Sequence, residues 1–166
     1  MNNGNTDRMP GSEHGLAASR TLGMFAVPSA PGNEREAVRH VSTAVRHLDL
    51  SPAQRERLGT AVAEATMNAM EHGNAYRQDA PVTVRVVTSG GELRVQVTDR
   101  GGVPAALSAN PPDLQDVLQG RQPVRGWGLF LIRSLVDEVH VSVNGTRHTV
   151  ELVMHLGAPG DAGDGM

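Results

Sequence analysis

Apolar residues fall on every second position in two short runs close together in the chain, Val82, Val84 and Val86, then Leu93, Val95 and Val97. Period-two alternation places the apolar side chains of a strand on one face, so each run predicts a half-buried β-strand, and Gly90-Gly91 between them predicts a hairpin. A second hairpin is predicted near the end, where VHVSV and HTVELVMH flank Asn144-Gly145, a dipeptide suited to a two-residue turn. Elsewhere the period changes. Val38, Val41, Val45 and Leu48 recur at spacings of three and four, which predicts a helix, and Asn33 with Glu36 is placed to form its capping box. SPAQ offers Ser51 as N-cap, Pro52 at the first helical position and Gln54 two residues later, the start of a second helix that runs into AVAEATMNAMEHGN, residues 61 to 74. A first strand over Thr21 to Val27 and a third helix over GLFLIRSLVDEV, residues 128 to 139, complete the order β-α-α-β-β-loop-α-β-β. Strands clustered as hairpins predict an α+β fold, with a mostly antiparallel sheet carrying its helices on one face.

Length and composition narrow this picture. A chain of 166 residues with 39% hydrophobic side chains supplies one core, and the polar, Gly/Pro-rich ends, 1–18 and 157–166, predict mobile tails around a folded domain at 19–156. No long apolar run and no charged-then-apolar leader occurs, so the reading is a soluble, cytoplasmic protein with no membrane partner. With no cysteine, disulfide and thiol chemistry are excluded. A net charge of −3 with one Trp, one Tyr and two Phe provides neither a basic stripe nor a stacking platform, which disfavours direct nucleic-acid binding. Residues 101–126 are rich in Gly and Pro and too long for an ordinary connection, so they predict a functional loop of the lid type with at most a short helix.

Three places then carry candidate chemistry. Glu64 and Asn68 lie one turn apart on the second helix, about 40° around its axis, at the margin of a stripe made by Leu58, Ala61, Val62, Ala65 and Ala69. A carboxylate held there can act as a general base. Asp99 ends a strand immediately before Gly101-Gly102, where an ionised acceptor can take a hydrogen bond from an exocyclic amine. Gly126-Trp127-Gly128 opens the third helix, so that bare N–H groups and the positive end of the helix dipole face the long loop. Each feature also has an ordinary explanation taken singly: a rim pair, an Asp-x-Gly turn, a flexible helix entry.

Taken together, in this order and spacing, they resemble the N, G1 and G2 boxes of the GHKL (histidine kinase-like) ATPase superfamily, over residues 20 to 156. Within it, AEATMNAMEHGN and GWGLFLIRSLVDEV resemble the corresponding helices of the RsbW and SpoIIAB type anti-sigma factor serine/threonine kinases. The resemblance implies a Bergerat ATP-binding fold, a two-layer α/β sandwich with a mostly antiparallel mixed sheet, and ATP with Mg²⁺ as cofactors. It makes Glu64 the general base and Asn68 the Mg²⁺ ligand. Asp99 becomes the adenine acceptor, with Gly101 leaving room for the base and Thr149 nearby on the late strand. Gly126, Trp127, Gly128 and Leu129 hold the phosphates, with Arg125 as a further contact. The implied partners are a STAS-type anti-sigma factor antagonist, which carries the phosphorylated Ser or Thr, and an alternative sigma factor, with a homodimer left open. A non-catalytic ATP-binding module of the same fold, regulating a partner such as a phosphatase, is the alternative. The G1 box reads DRGG where the family has D-x-G-x-G, with Val103 at the second glycine position, and the last hairpin is two residues longer than the family's GTTV pattern.

Overall fold

The computed structural model describes residues 18–101 and 127–157; the expected tails, apart from residue 18 at one end and residue 157 at the other, and the expected lid beyond residue 101 lie outside them. The alternating valines form β2 (Val82–Ser89) and β3 (Glu92–Asp99), preceded by β1 (Arg20–Val27) and followed late in the chain by β4 (Glu138–Asn144) and β5 (Arg147–His155). These strands make one sheet in the order β1-β2-β3-β5-β4, and all four pairings are antiparallel. β5 therefore inserts between β3 and β4, and the connection from β3 crosses to the far edge before the chain returns.

Three helices cover one face: α1 (Glu34–Ala44), α2 (Pro52–Asn68) and α3 (Trp127–Leu135). Val82, Val84 and Val86 of β2, Leu93, Val95 and Val97 of β3, and Leu152 and Met154 of β5 bury their side chains against Val41 of α1, Leu58, Ala61, Val62 and Ala65 of α2 and Ile132 of α3. Burying each valine side chain contributes on the order of 1.5–3 kcal/mol. Alanines on the inner face of α2 let its backbone approach the sheet closely, and so fix the height of Glu64 and Asn68 above it.

The opposite face has no helix over it among the described residues, and it is largely polar, although Val87 and Val153 are buried on it and Met24 is exposed. Arg94 on β3 donates to Glu92 at 2.6 Å and to Glu151 on β5 at 2.8 Å, while Gln96 donates to the other oxygen of Glu151 at 2.7 Å. The hydrogen bond to Glu92 is the first cause that raises the Arg94 pKa further. On the edge strand, a hydrogen bond with His140 holds the Glu138 carboxyl below its ordinary range. Charge pairs within strands, and the cross-strand pair of Arg94 with Glu151, make the open face compatible with water.

Local sequence signals explain most boundaries, with two corrections. Ser51, the N-cap expected for α2, accepts from the Gln54 N–H at 3.1 Å, and the Gln54 side-chain oxygen accepts from the Ser51 N–H at 2.9 Å, which closes a capping box. The box expected for α1 does not form. Asn33 is already helical in its backbone angles, so its side chain turns back and donates to the Pro28 carbonyl at 2.9 Å. The third helix is shorter than expected, ending at Leu135 rather than at 139. Asp137 N–H already bonds to Val153 O at 2.9 Å, and Val139 and Val141 pair with Leu152 and Val150. Sheet pairing has captured a segment whose apolar positions suit either period.

At the end of α2 the helix widens into a π-helical turn, Ala69–Gly73, closed by Asn74 N–H to Ala69 O at 2.8 Å. Ala75 and Tyr76 follow at φ 49° and 52°, a left-handed conformation that costs roughly 1–2 kcal/mol per residue without glycine. What holds it is Asn74, which is fully buried. Its amide nitrogen donates to Ser29 Oγ at 3.0 Å and to Ala80 O at 2.8 Å, and its oxygen accepts from Arg100 N–H at 2.8 Å. Four chain segments meet at this one amide. Replacing Asn74 by Ala removes the acceptor of the Arg100 N–H and one donor each from the Ser29 hydroxyl and the Ala80 carbonyl, which still bond to each other, while the backbone stays strained, so Asn74→Ala is expected to lower stability by about 2–4 kcal/mol in urea denaturation. A loss under about 0.5 kcal/mol would show that the turn is held by something else.

Candidate functional site

Glu64 and Asn68 are both half-buried beside the fully enclosed Ala61, Ala65 and Ala69, at the margin of the helix stripe. Asn68 packs directly against the start of α3. A Cβ added to Gly128 would come within 2.6 Å of Asn68 Nδ2 and 3.1 Å of Oδ1, so the side-chain amide occupies the space that only glycine leaves open. Asn68 is thereby brought to the N-terminal end of α3, where Gly128 and Leu129 present N–H groups that have no partner within the helix, and Glu64 lies one turn earlier on α2.

Asp99, at the end of β3, is more enclosed than a loop-mouth carboxylate: it is 7% exposed. Its Oδ1 accepts from Gly101 N–H at 3.0 Å and pairs with His148 Nδ1 at 3.1 Å. The other oxygen, Oδ2, lies over Gly73 so closely that a Cβ there would collide with it. Gly101 is equally constrained, since a Cβ on it would run into the Gly73 carbonyl. The Asp99-Gly101 turn and the π-turn of α2 thus touch backbone to backbone, and bulk at either glycine would separate them.

Glu64, Asn68, Asp99, Gly101, Gly128 and Leu129 lie on three elements, of which α2 with its π-turn touches both of the others, the end of β3 and the start of α3. Thr149 is placed elsewhere. It opposes Thr98 in the sheet register and bonds it through the hydroxyls at 2.8 Å. Strand alternation puts that pair on the open face, opposite to Asp99. The β5 residue that faces Asp99 is His148, which the sequence reading missed. Trp127 opens α3; Arg125 and Gly126 lie outside the described residues. Asn74 was also unassigned, and a polar residue at the end of an apolar helix was its only sequence signal.

No helix among the described residues is long and apolar enough to cross a membrane. An anti-sigma F factor of Anoxybacillus flavithermus is 29% identical over 136 residues, spanning 75% of this chain and 85% of that protein. Two solved structures share the fold. One, the SiaB-SiaC complex from Pseudomonas aeruginosa, superposes with a TM-score of 0.61 at 16% identity, over 81% of this chain and 90% of that one. The other holds the RsbU and RsbW domains of Rv1364c from Mycobacterium tuberculosis, with a TM-score of 0.58 at 20% identity over 82% of this chain. This chain spans about a third of that mycobacterial chain, 32%. The family match itself runs over residues 27–154, from the last residue of β1 almost to the end of β5, and includes every element of the site: this chain belongs to the histidine kinase-like ATPase domain family.

Proposed function

We propose that this protein is an ATP-dependent serine/threonine protein kinase that acts as an anti-sigma factor. The observation that supports the reading is the packing of Asn68 against Gly128, which sets a side-chain amide beside the N–H groups of a helix start, with the half-buried Glu64 one turn earlier on α2 and the Asp99-Gly101 turn against the π-turn that follows. The donor set fits Mg-ATP. An amide oxygen suits a hard cation, N–H groups at a helix start suit phosphate, and an ionised carboxylate suits the amine of adenine.

Bound there, Mg-ATP supplies a transferable phosphoryl group together with the metal's neutralising charge. Asn68 Oδ1 holds the metal, and the Gly128 and Leu129 amides hold phosphate oxygens, joined by Arg125, Gly126 and the Trp127 amide. Asp99 accepts from adenine, with Gly101 keeping the neighbouring space clear. Glu64 takes the proton from the incoming Ser or Thr hydroxyl, one turn of helix from Asn68. The kinship with an anti-sigma F factor supports a sigma factor as the sequestered partner. A STAS-type antagonist is the proposed source of the acceptor hydroxyl, and a homodimer is the proposed assembly.

Two outcomes test the assignment. Glu64→Gln preserves shape and removes the proton acceptor, so transfer from radiolabelled ATP to an antagonist protein is expected to fall by about 10²–10⁴-fold while ATP affinity stays within about threefold. Unchanged transfer contradicts the base role, and no transfer by the parent with any antagonist from its genome favours a binding module. Second, Asn68→Ala should abolish the Mg²⁺ dependence of ATP binding, and Gly128→Ala should weaken Mg-ATP binding about tenfold because the new methyl displaces the Asn68 amide. Calorimetry showing parental affinity in both variants would remove the phosphate end of the site.

A further inference from the structure

The inner face of the sheet is apolar along two neighbouring strands, and it is interrupted on both at the same rung. On β3, Leu93, Val95 and Val97 alternate inward and the next inward residue is Asp99; on β5, Met154, Leu152 and Val150 alternate inward and the next is His148. Asp99 and His148 are direct antiparallel partners. Their side chains are 10% and 11% exposed, joined at 3.1 Å between Oδ1 and Nδ1. Continuing the apolar pattern would have satisfied the core, so a buried polar pair here is a departure that packing does not require.

We infer that His148 is a positioning residue for Asp99, fixing which carboxylate oxygen is offered to the nucleotide base; the inference rests on the reading of Asp99 as the adenine acceptor. An ionised carboxylate can only accept, so the ring must carry its hydrogen on Nδ1. Oδ1 then takes two donors, the His148 ring and the Gly101 N–H at 3.0 Å, and is saturated. Oδ2 has no hydrogen-bond partner among the described residues and lies over the bare Gly73 backbone. A carboxylate held by one donor can exchange its oxygens by rotating about χ2; one held by two on the same oxygen cannot do so without breaking both. Because the ring stands on the adjacent strand in register, its direction is set by the sheet rather than by a loop. The amine of adenine therefore meets an acceptor already aimed, and a 6-oxo purine meets the same oxygen lone pair to lone pair.

The test is nucleotide selectivity, measured by calorimetry with ATP and ITP on the full chain. The amide of Asn can place a donor where Nδ1 stands, whereas that of Gln places it where Nε2 stands. His148→Asn is expected to keep the ATP-to-ITP affinity ratio within about threefold of the parent. His148→Gln and His148→Phe should lower ATP affinity about tenfold and leave ITP affinity within about twofold, collapsing the ratio. Urea denaturation of each variant reports folding, and the Asn and Gln variants decide the matter even if Phe is not tolerated. Equal losses for ATP and ITP, or a parental ratio in His148→Gln, overturn the positioning role. If the parent does not discriminate, or if Asp99→Asn leaves the ratio unchanged, the adenine reading of Asp99 fails first; discrimination lost in Asp99→Asn but kept in every His148 variant refutes His148 alone.

Discussion

One buried side-chain amide sets the geometry on which the site depends. Asn74 is sealed from solvent and engages its oxygen and its nitrogen, tying the residues after β1, before β2 and after β3 to the end of α2. A buried amide left partly unbonded is costly, so the arrangement is held as a unit rather than bond by bond. It forces the helix to widen by one residue and the chain to pass through two left-handed residues, a conformation Ala75 and Tyr76 would not adopt alone. The result is a backbone contact between Gly73 and Gly101 that draws Asp99 beside the C-terminal end of α2. If α2 continued regularly, Glu64 and Asn68 would remain on its flank but the strand-end carboxylate would be separated from them.

From that contact the two halves of the site acquire different physical characters. Around Asn68 and Gly128 the groups are half-buried and belong to helix surfaces and a helix start, suited to charge that must enter and leave with water. Around Asp99 and His148 the groups are enclosed within the core layer, suited to discriminating a planar, weakly polar base. The polar ladder of Arg94, Glu92, Glu151 and Gln96 lies on the other side of the sheet and keeps that surface compatible with water.

How much of this was legible depended on the range of the interactions. Local patterns were reliable: the inward residues of β2 and β3, the Ser51 cap and the Asn144-Gly145 hairpin all follow from neighbours in sequence. The proposed set of Glu64, Asn68, Asp99 and Gly128 can be named from order and spacing alone, because each lies on or at the end of a recognisable element. Failures came where distant chain decided. The Val136 to Val139 segment fits a helix until β5 is present to pair with it. Asn33 looks like a cap until the turn before it has placed its backbone. His148 could not be paired with Asp99 by inspection, because β3 and β5 are not consecutive and their register is set by the crossover. The same ignorance of register directed attention to Thr149, one residue along and therefore on the opposite face. The π-turn has no periodic signature, and Asn74 shows its role only once four segments have converged.

We propose that the π-turn of α2, the Asp99-Gly101 turn and the start of α3 form one adenine-nucleotide site. The most direct measurement is a backbone amide chemical-shift titration of the isotopically labelled protein with Mg-ATP. The largest saturable perturbations are expected to cluster at residues 68–74, 99–101, 128–132 and 148, with the open face at Arg94, Glu138 and Glu151 nearly silent. Perturbations concentrated on that open face, or none at saturating nucleotide, would contradict it.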